Sequence, residues 1–231
     1  MPRRSKAHAY LLLARVSNLP TVWTNVLAAV VVAGGPRDSV IATMAAVSLF
    51  YTGGMVLNDA FDANVDATVR SDRPIPAGDV TRPEAFMLGA ALMALGELVL
   101  LSVSHPRPAL AWGLGLAAAI VFYDYKHKGQ AFGPVVMGLC RALVYGVSAA
   151  AAVGTVSAPV FIAAALMWAY IIALTWVAKH AGLGYAVPWL LAGICLVDAA
   201  VLAVSGEPAL AALAAAGFVL TLALQRVVPG T

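Results

Sequence analysis

Apolar residues run along this chain in long stretches, broken by short polar or turn-forming segments. Eight stretches stand out, at approximately 12–33, 39–58, 84–104, 108–124, 133–153, 158–178, 186–204 and 208–225. Each is close to the ~20 residues an α-helix needs to cross a bilayer core. The breaks carry turn chemistry: Gly34-Gly35-Pro36, Pro74-Ile75-Pro76, His105-Pro106-Arg107-Pro108, Gly154 to Pro159 and Gly206 to Pro208. The third and fourth stretches are joined so tightly that they must form an antiparallel hairpin. The pattern predicts an all-α polytopic membrane helical bundle of about eight transmembrane helices, built as a single membrane-embedded domain over residues 1–231.

Composition agrees, with 62% hydrophobic residues, 11% charged residues and a mean hydropathy of +0.89. The net charge of +3 comes mostly from Lys and Arg between the apolar stretches, which points to a membrane surface and not to nucleic acid. With eight spans, Arg3, Arg4, Lys6, Arg70, Arg73, Arg82, Lys126, Lys128, Lys179 and Arg226 fall on one side, and Arg37 and Arg107 on the other. That bias predicts a multi-pass protein of the cell membrane with both termini cytoplasmic. The loops after the second, fourth and sixth spans then share the cytoplasmic side. The basic start, MPRRSKAHAY, is followed by Arg15, Asn18 and Pro20 without a small-residue cleavage site, so no signal peptide is expected. Cys140 and Cys195 lie inside apolar stretches and read as small core residues.

Against this background one segment is unusual: NDAFDANVDATVRSDRPIPAG, from Asn58 to Gly78. Asn58, Asp62 and Asp66 are spaced four apart, which on a helix stacks them on one face. Asp59 sits beside them, and Arg70 and Arg73 follow. Acids packed together repel unless a cation lies among them. Hard oxygen ligands next to guanidinium groups suit Mg²⁺ with a phosphate-bearing partner. Elsewhere, Arg141 stands about two turns into an apolar stretch, where a charge must be paired or functional. Asp124 is its candidate partner by position. Glu97 and Asp198 are mid-span acids, each readable as functional or as a buried packing contact. His8, His105 and His127 show no metal-ligand spacing, and His180, beside Lys179, reads as an interfacial residue and not a ligand. Tyr145 and Tyr170 are candidates to line a cavity, where ring faces favour a cation.

The run Asn58 to Asp66, with Arg70 and then Arg73-Pro74-Ile75-Pro76-Ala77-Gly78, resembles the first aspartate-rich motif of the UbiA superfamily of intramembrane prenyltransferases. Three further pieces are similar to the same family: Ala14-Arg15-Val16-Ser17-Asn18-Leu19-Pro20-Thr21, Tyr123 with Lys126 and Lys128, and Gly133 to Arg141. The last of these looks most like the UbiA-like branch associated with ebo-type gene clusters. The resemblance covers roughly residues 10 to 180.

It implies that Asn58, Asp62 and Asp66, supported by Asp59, hold Mg²⁺ against the diphosphate of an isoprenyl donor. Arg70 or Arg73 and Lys126 or Lys128 would contact that diphosphate, with Arg141 and Lys179 completing the basic set. Asp62, Asp66 and Tyr123 would be the catalytic residues, Tyr123 facing the reacting carbon or a phosphate oxygen. The partners implied are an isoprenyl diphosphate, a lipid-soluble, aromatic acceptor and membrane lipid. The expected reaction is Mg²⁺-dependent prenyl transfer. An intramembrane terpene cyclase, or a non-catalytic binder or transporter of a lipid-like metabolite precursor, is the alternative. The family's second aspartate motif has no counterpart in Trp176-Val177-Ala178-Lys179-His180-Ala181-Gly182, where Lys179 is the candidate substitute charge.

Overall fold

The computed structural model describes residues 4–126, 132–180 and 184–230. Among them every regular element is helical: α1 (Lys6–Ala14), α2 (Leu19–Val32), α3 (Ser39–Val69), α4 (Arg82–Leu100), α5 (Pro106–Lys126), α6 (Gly133–Val153), α7 (Ala158–His180), α8 (Val187–Ala192), α9 (Ile194–Val204) and α10 (Pro208–Gln225). Single 3₁₀ turns precede α2 and α8. Among the described residues seven units are long and apolar enough to cross a bilayer, with α8 and α9 counted as one. The stretch Val16–Val32 adds a shorter apolar helix. The expected all-α membrane bundle is therefore present, with two departures in detail.

The first departure is at the amino-terminal stretch, which is not one continuous helix. Helix α1 stops at Ala14 because Arg15 adopts a left-handed conformation, φ 44° and ψ 48°. A 3₁₀ turn over Val16–Asn18 then leads into α2, with Pro20 in its first turn, where a missing N–H costs nothing. The second departure is at α3, which does not end with its apolar part near residue 58. It continues for 31 residues, to Val69. At 1.5 Å per residue that is about 46 Å, against roughly 30 Å of bilayer core. The last turns of α3, which carry the acids, therefore extend past the apolar layer as regular helix.

Small residues set the helix spacing. A methyl group added at Gly89 of α4 would lie 2.6 Å from Leu57 and 3.0 Å from the Gly53 carbonyl of α3, so these two helices touch backbone to backbone. The alanines 149–152 of α6 are buried, and Ala152 meets Gly35 at the end of α2. The core between α2, α3 and α6 holds Val26, Val30, Phe50 and Tyr145, each fully buried. Thr81 begins α4 with a capping box, its hydroxyl accepting from Glu84 N–H while Glu84 accepts from the Thr81 N–H. Gly78, at φ +78°, turns the chain back toward that cap after α3, a conformation that favours glycine.

Candidate functional site

The acids form a buried ladder on the inward face of α3. Asn58, Asp59, Asp62 and Asp66 are all buried, while Asn64 and Val65 on the other face are exposed. This is the face that a four-residue spacing selects. Asp59 Oδ1 receives two guanidinium groups, Arg15 Nη2 at 2.9 Å and Arg73 Nη1 at 2.6 Å. Arg73 Nη1 also lies 3.5 Å from Asp66 Oδ2, and Arg70 Nε lies 3.3 Å from Asp66 Oδ1. Asn58 Nδ2 donates to Asp124 Oδ1 on α5 at 3.1 Å, tying the ladder to a second helix. Arg82 Nε caps the arrangement by donating to the Ala60 carbonyl at 2.9 Å.

Local structure explains how these cations arrive. The left-handed break at Arg15 points the chain away from α1 and lets its guanidinium reach Asp59, 44 residues on. Arg73 opens the turn that returns the chain from α3, held by Ala77 N–H donating to the Arg73 carbonyl at 2.9 Å. Burial pulls the Arg73 guanidinium below its ordinary pKa, and the carboxylate of Asp59 pulls it back up. On the outer rim Lys6 is raised, chiefly by its hydrogen bond to Glu84.

The donor set fits a divalent ion shared with a phosphate ligand. Among the described residues neither oxygen of Asp66 accepts a hydrogen bond, because its two guanidinium neighbours sit at loose contact. Asp62 lies one turn away on the same face. No group of three or more His, Cys, Asp and Glu converges among the described residues, so a closed protein cage is not built here. Mg²⁺ does not require one: it usually takes one or two carboxylates, keeps water, and shares the rest of its shell with substrate phosphate.

Beside the ladder, a cavity of about 160 Å³ opens between α2, α3, α5, α6 and α7. Its walls are apolar, with Val47, Phe50, Leu116, Ile120, Met137 and Val144. Polar groups enter it at few points: Arg15, Asn18, Tyr123 and Asp124, with Tyr51 and Arg141 on the walls as well. The structure thus brings Asn58, Asp59, Asp62, Asp66, Arg70 and Arg73 into one cluster, with Tyr123 on the adjoining cavity wall.

Arg141 is elsewhere. Its guanidinium lies over the Tyr51 ring, 5.5 Å from the centroid, and Tyr51 precedes Asn58 by seven residues, about 10 Å of helix. Its hydrogen bonds go to Thr21 and Asn25, while Asp124, the partner suggested by position, receives Asn58. Lys128 and the side chains of Lys126 and Lys179 lie outside the described residues.

Two features were not assigned from sequence. Arg15 was visible within a polar opening, yet nothing local says that it pairs with Asp59. Asn25 was not singled out at all, although its amide joins Arg141 to Asp198: Oδ1 accepts from Arg141 at 2.9 Å and Nδ2 donates to Asp198 Oδ2 at 2.8 Å. Asp198 also receives Thr24 Oγ1 at 2.6 Å and the Tyr145 hydroxyl. Of the two open readings for this acid, the packing network between α2, α6 and α9 is the one its contacts support.

The family model for UbiA prenyltransferases matches residues 18–184. The chain belongs to the UbiA prenyltransferase family. Among curated UbiA relatives, digeranylgeranylglyceryl phosphate synthase of Ignicoccus hospitalis is 34% identical over 126 residues, which is 54% of this chain and 41% of that protein. Protoheme IX farnesyltransferase of Korarchaeum cryptofilum is 36% identical over 109 residues, 46% of this chain and 37% of the relative. A 4-hydroxybenzoate octaprenyltransferase of a Marinomonas species is 37% identical over 118 residues, 49% and 40% of the two chains. The match thus spans about two fifths of the length of these relatives.

Solved UbiA-type structures align over nearly all of the chain. A digeranylgeranylglyceryl phosphate synthase superposes with a TM-score of 0.65 at 20% identity, covering 97% of this chain and 88% of the other. A UbiA homolog from Archaeoglobus fulgidus bound to GPP and Mg²⁺ gives 0.62 at 15% identity, covering 95% and 87%. At these identities the agreement is one of fold.

Proposed function

We propose that this UbiA-family protein transfers an isoprenyl group from an isoprenyl diphosphate to a hydrophobic acceptor, with Mg²⁺ as cofactor. The observation that carries the reading is the buried Asp62–Asp66 face of α3, flanked by Arg70 and Arg73, opening beside an apolar cavity. Asp62 and Asp66, with Asn58 and Asp59 alongside, would hold the ion. When bound, the ion neutralises charge on the diphosphate oxygens as the leaving group departs.

The remaining roles fall to the chain itself. Arg73 is braced by Asp59, which Arg15 braces in turn, so its guanidinium stands ready at the ladder without reorganisation. Arg70, more exposed, adds a second cation at the rim. The allylic C–O bond breaks with its electron pair going to the diphosphate. The allylic cation then bonds to an electron-rich atom of the acceptor, which gives up a proton. Apolar walls keep water from capturing the cation first, and Tyr123 stands on the wall nearest the ladder. Lys179, at the end of α7 where the stretch Trp176 to Gly182 has no carboxylate, would supply the fixed charge that a second ion supplies elsewhere. The excess of Lys and Arg on the ladder side supports a cytoplasmic position in the cell membrane for this mouth and for both termini.

A second reading is favoured by that missing carboxylate: a carrier that binds a prenyl-type lipid without turning it over. Labelled geranyl, farnesyl and geranylgeranyl diphosphates, supplied with and without Mg²⁺ and a membrane lipid extract as acceptor, separate the readings. Transfer predicts pyrophosphate release that needs both Mg²⁺ and the extract. Release without the extract would mean cyclisation, and saturable binding with no release would mean carriage.

A further inference from the structure

Arg141 stands eight residues past the start of α6, about 12 Å along the helix and inside the apolar part of the bundle. A charge at that depth is costly unless it is paired or serves a ligand. Its hydrogen-bond partners are neutral. Nη1 donates to the Thr21 carbonyl at 3.3 Å and to Asn25 Oδ1 at 2.9 Å, and Nη2 donates to Thr21 Oγ1 at 3.0 Å. A guanidinium has five N–H groups. These bonds occupy both Nη1 hydrogens and one on Nη2.

The Nε–H and the second Nη2–H make no hydrogen bond among the described residues. Together they form the side-on fork that receives the two oxygens of one planar anion. The acid of this region, Asp198, is turned to Thr24, Asn25 and Tyr145, so the amide of Asn25 stands between it and the guanidinium. Tyr51 underlies the guanidinium, and both side chains line the cavity.

The fork is too far from the acidic ladder to share its ligand. Tyr51 precedes Asn58 by seven residues, Asp62 by eleven and Asp66 by fifteen on one continuous helix, about 10, 16 and 22 Å of rise. Charge-assisted hydrogen bonds to phosphate run at about 2.7–2.9 Å. A diphosphate seated on Asp62 and Asp66 therefore leaves Arg141 for another group.

We propose that Arg141 anchors the carboxylate end of a second, hydrophobic ligand, whose body fills the apolar cavity toward Tyr123. The anion is a carboxylate and not a phosphate monoester or diphosphate, because a group of higher charge opposite a single guanidinium would leave buried charge uncompensated. Naming this ligand the prenyl acceptor rests on the transferase reading; the anion site itself does not.

The test uses the full chain in nanodiscs, with 4-butylbenzoate and its neutral isostere 4-butylbenzamide as probes and empty nanodiscs as the control. The wild-type protein is expected to bind the acid at least tenfold more tightly than the amide. Arg141→Lys, which keeps the charge and loses the fork, is expected to weaken the acid at least tenfold. Binding of geranyl diphosphate with Mg²⁺ should change less than twofold in the same variant. Equal binding of acid and amide by the wild-type chain overturns the proposal with no variant needed. Equal loss of acid and diphosphate in Arg141→Lys also overturns it, by placing Arg141 at the donor. A preference for the acid that persists in a chain unable to bind any isoprenyl diphosphate supports the anchor and removes the transferase reading alone.

Discussion

Two polar regions occupy this apolar bundle, and they are built on opposite plans. The ladder at the end of α3 takes most of its members from one segment, Asn58 to Arg73, and pairs charge with charge. The deeper network takes Thr21, Thr24 and Asn25 from α2, Arg141 and Tyr145 from α6 and Asp198 from α9, and joins most of them through neutral groups. The first has guanidinium groups at loose distances from Asp66, contacts that an arriving ion and phosphate can rearrange at little cost. The second satisfies both oxygens of its acid and aims each amide atom of Asn25 at one partner. On the proposed function, the difference teaches that the ladder serves exchange and the network position, which their variants will separate.

The largest effect is expected from Asp62→Ala combined with Asp66→Ala. Removing both inward carboxylates leaves Arg70 and Arg73 facing the site without a ligand for the ion, so Mg²⁺-dependent binding of geranyl diphosphate should disappear. Thermal stability should fall far less than binding, since the Asp66 ion pairs run to Arg70 and Arg73, both just past the end of α3. Filter binding with labelled ligand and a melting curve in the same detergent check both halves. Retained Mg²⁺-dependent binding would remove the ladder from the site.

Asp198→Ala should behave in the reverse way. It strips the acceptor from Thr24, Asn25 and Tyr145 and releases the Asn25 amide that positions Arg141. Breaking a buried charge network by deleting one partner costs about 3–5 kcal/mol. Asp198→Asn keeps the shape and one carbonyl acceptor, so its loss should be nearer 1–3 kcal/mol, the cost of a mismatched buried hydrogen bond. Denaturant titration followed by tryptophan fluorescence measures both, and diphosphate binding by whatever fraction stays folded should be unchanged.

The same contrast explains what could be read from sequence. The ladder was legible because its parts are neighbours: a four-residue spacing is itself a statement about one helix face, and Arg70 and Arg73 lie within two turns of it. The apolar runs gave the bundle for the same local reason. Arg141 and Asp198 were each visible as misplaced charges, but their link runs through Asn25, an ordinary residue 116 positions from Arg141. Only the packing of α2 against α6 and α9 creates it. The end of α3 at Val69 was hidden by its polarity, because a hydropathy pattern ends where the bilayer ends and a helix need not. The break at Arg15 was hidden in the opposite sense, by Leu11, Leu12 and Leu13 running into it without a change of polarity.

A smaller effect separates the two arginines that follow the ladder. Arg73 reaches both Asp59 and Asp66 from a largely buried position, its side chain 13% exposed, whereas Arg70 is 52% exposed. Arg73→Lys replaces a fork with a point charge that cannot hold both acids, so donor affinity should fall about tenfold, equivalent to ~1.4 kcal/mol. Arg70→Lys keeps an exposed cation at the rim and should change affinity less than threefold. Equal losses would mean that total charge matters and the bracing by Asp59 does not.

The smallest effect tests the rule that polar groups here are placed for a purpose. Glu97 lies on α4 with both oxygens buried, accepts no hydrogen bond among the described residues, and packs against Gly113 of α5. It touches neither the ladder nor the deeper network. A buried polar group left unsatisfied costs about 1–3 kcal/mol, and an apolar side chain of similar length removes that cost. Glu97→Leu should therefore raise the melting temperature slightly and leave diphosphate binding and product formation as they were. A loss of binding or turnover instead would show that the α4–α5 hairpin takes part in the site through this carboxyl. The polar plan of the molecule would then have three centres and not two.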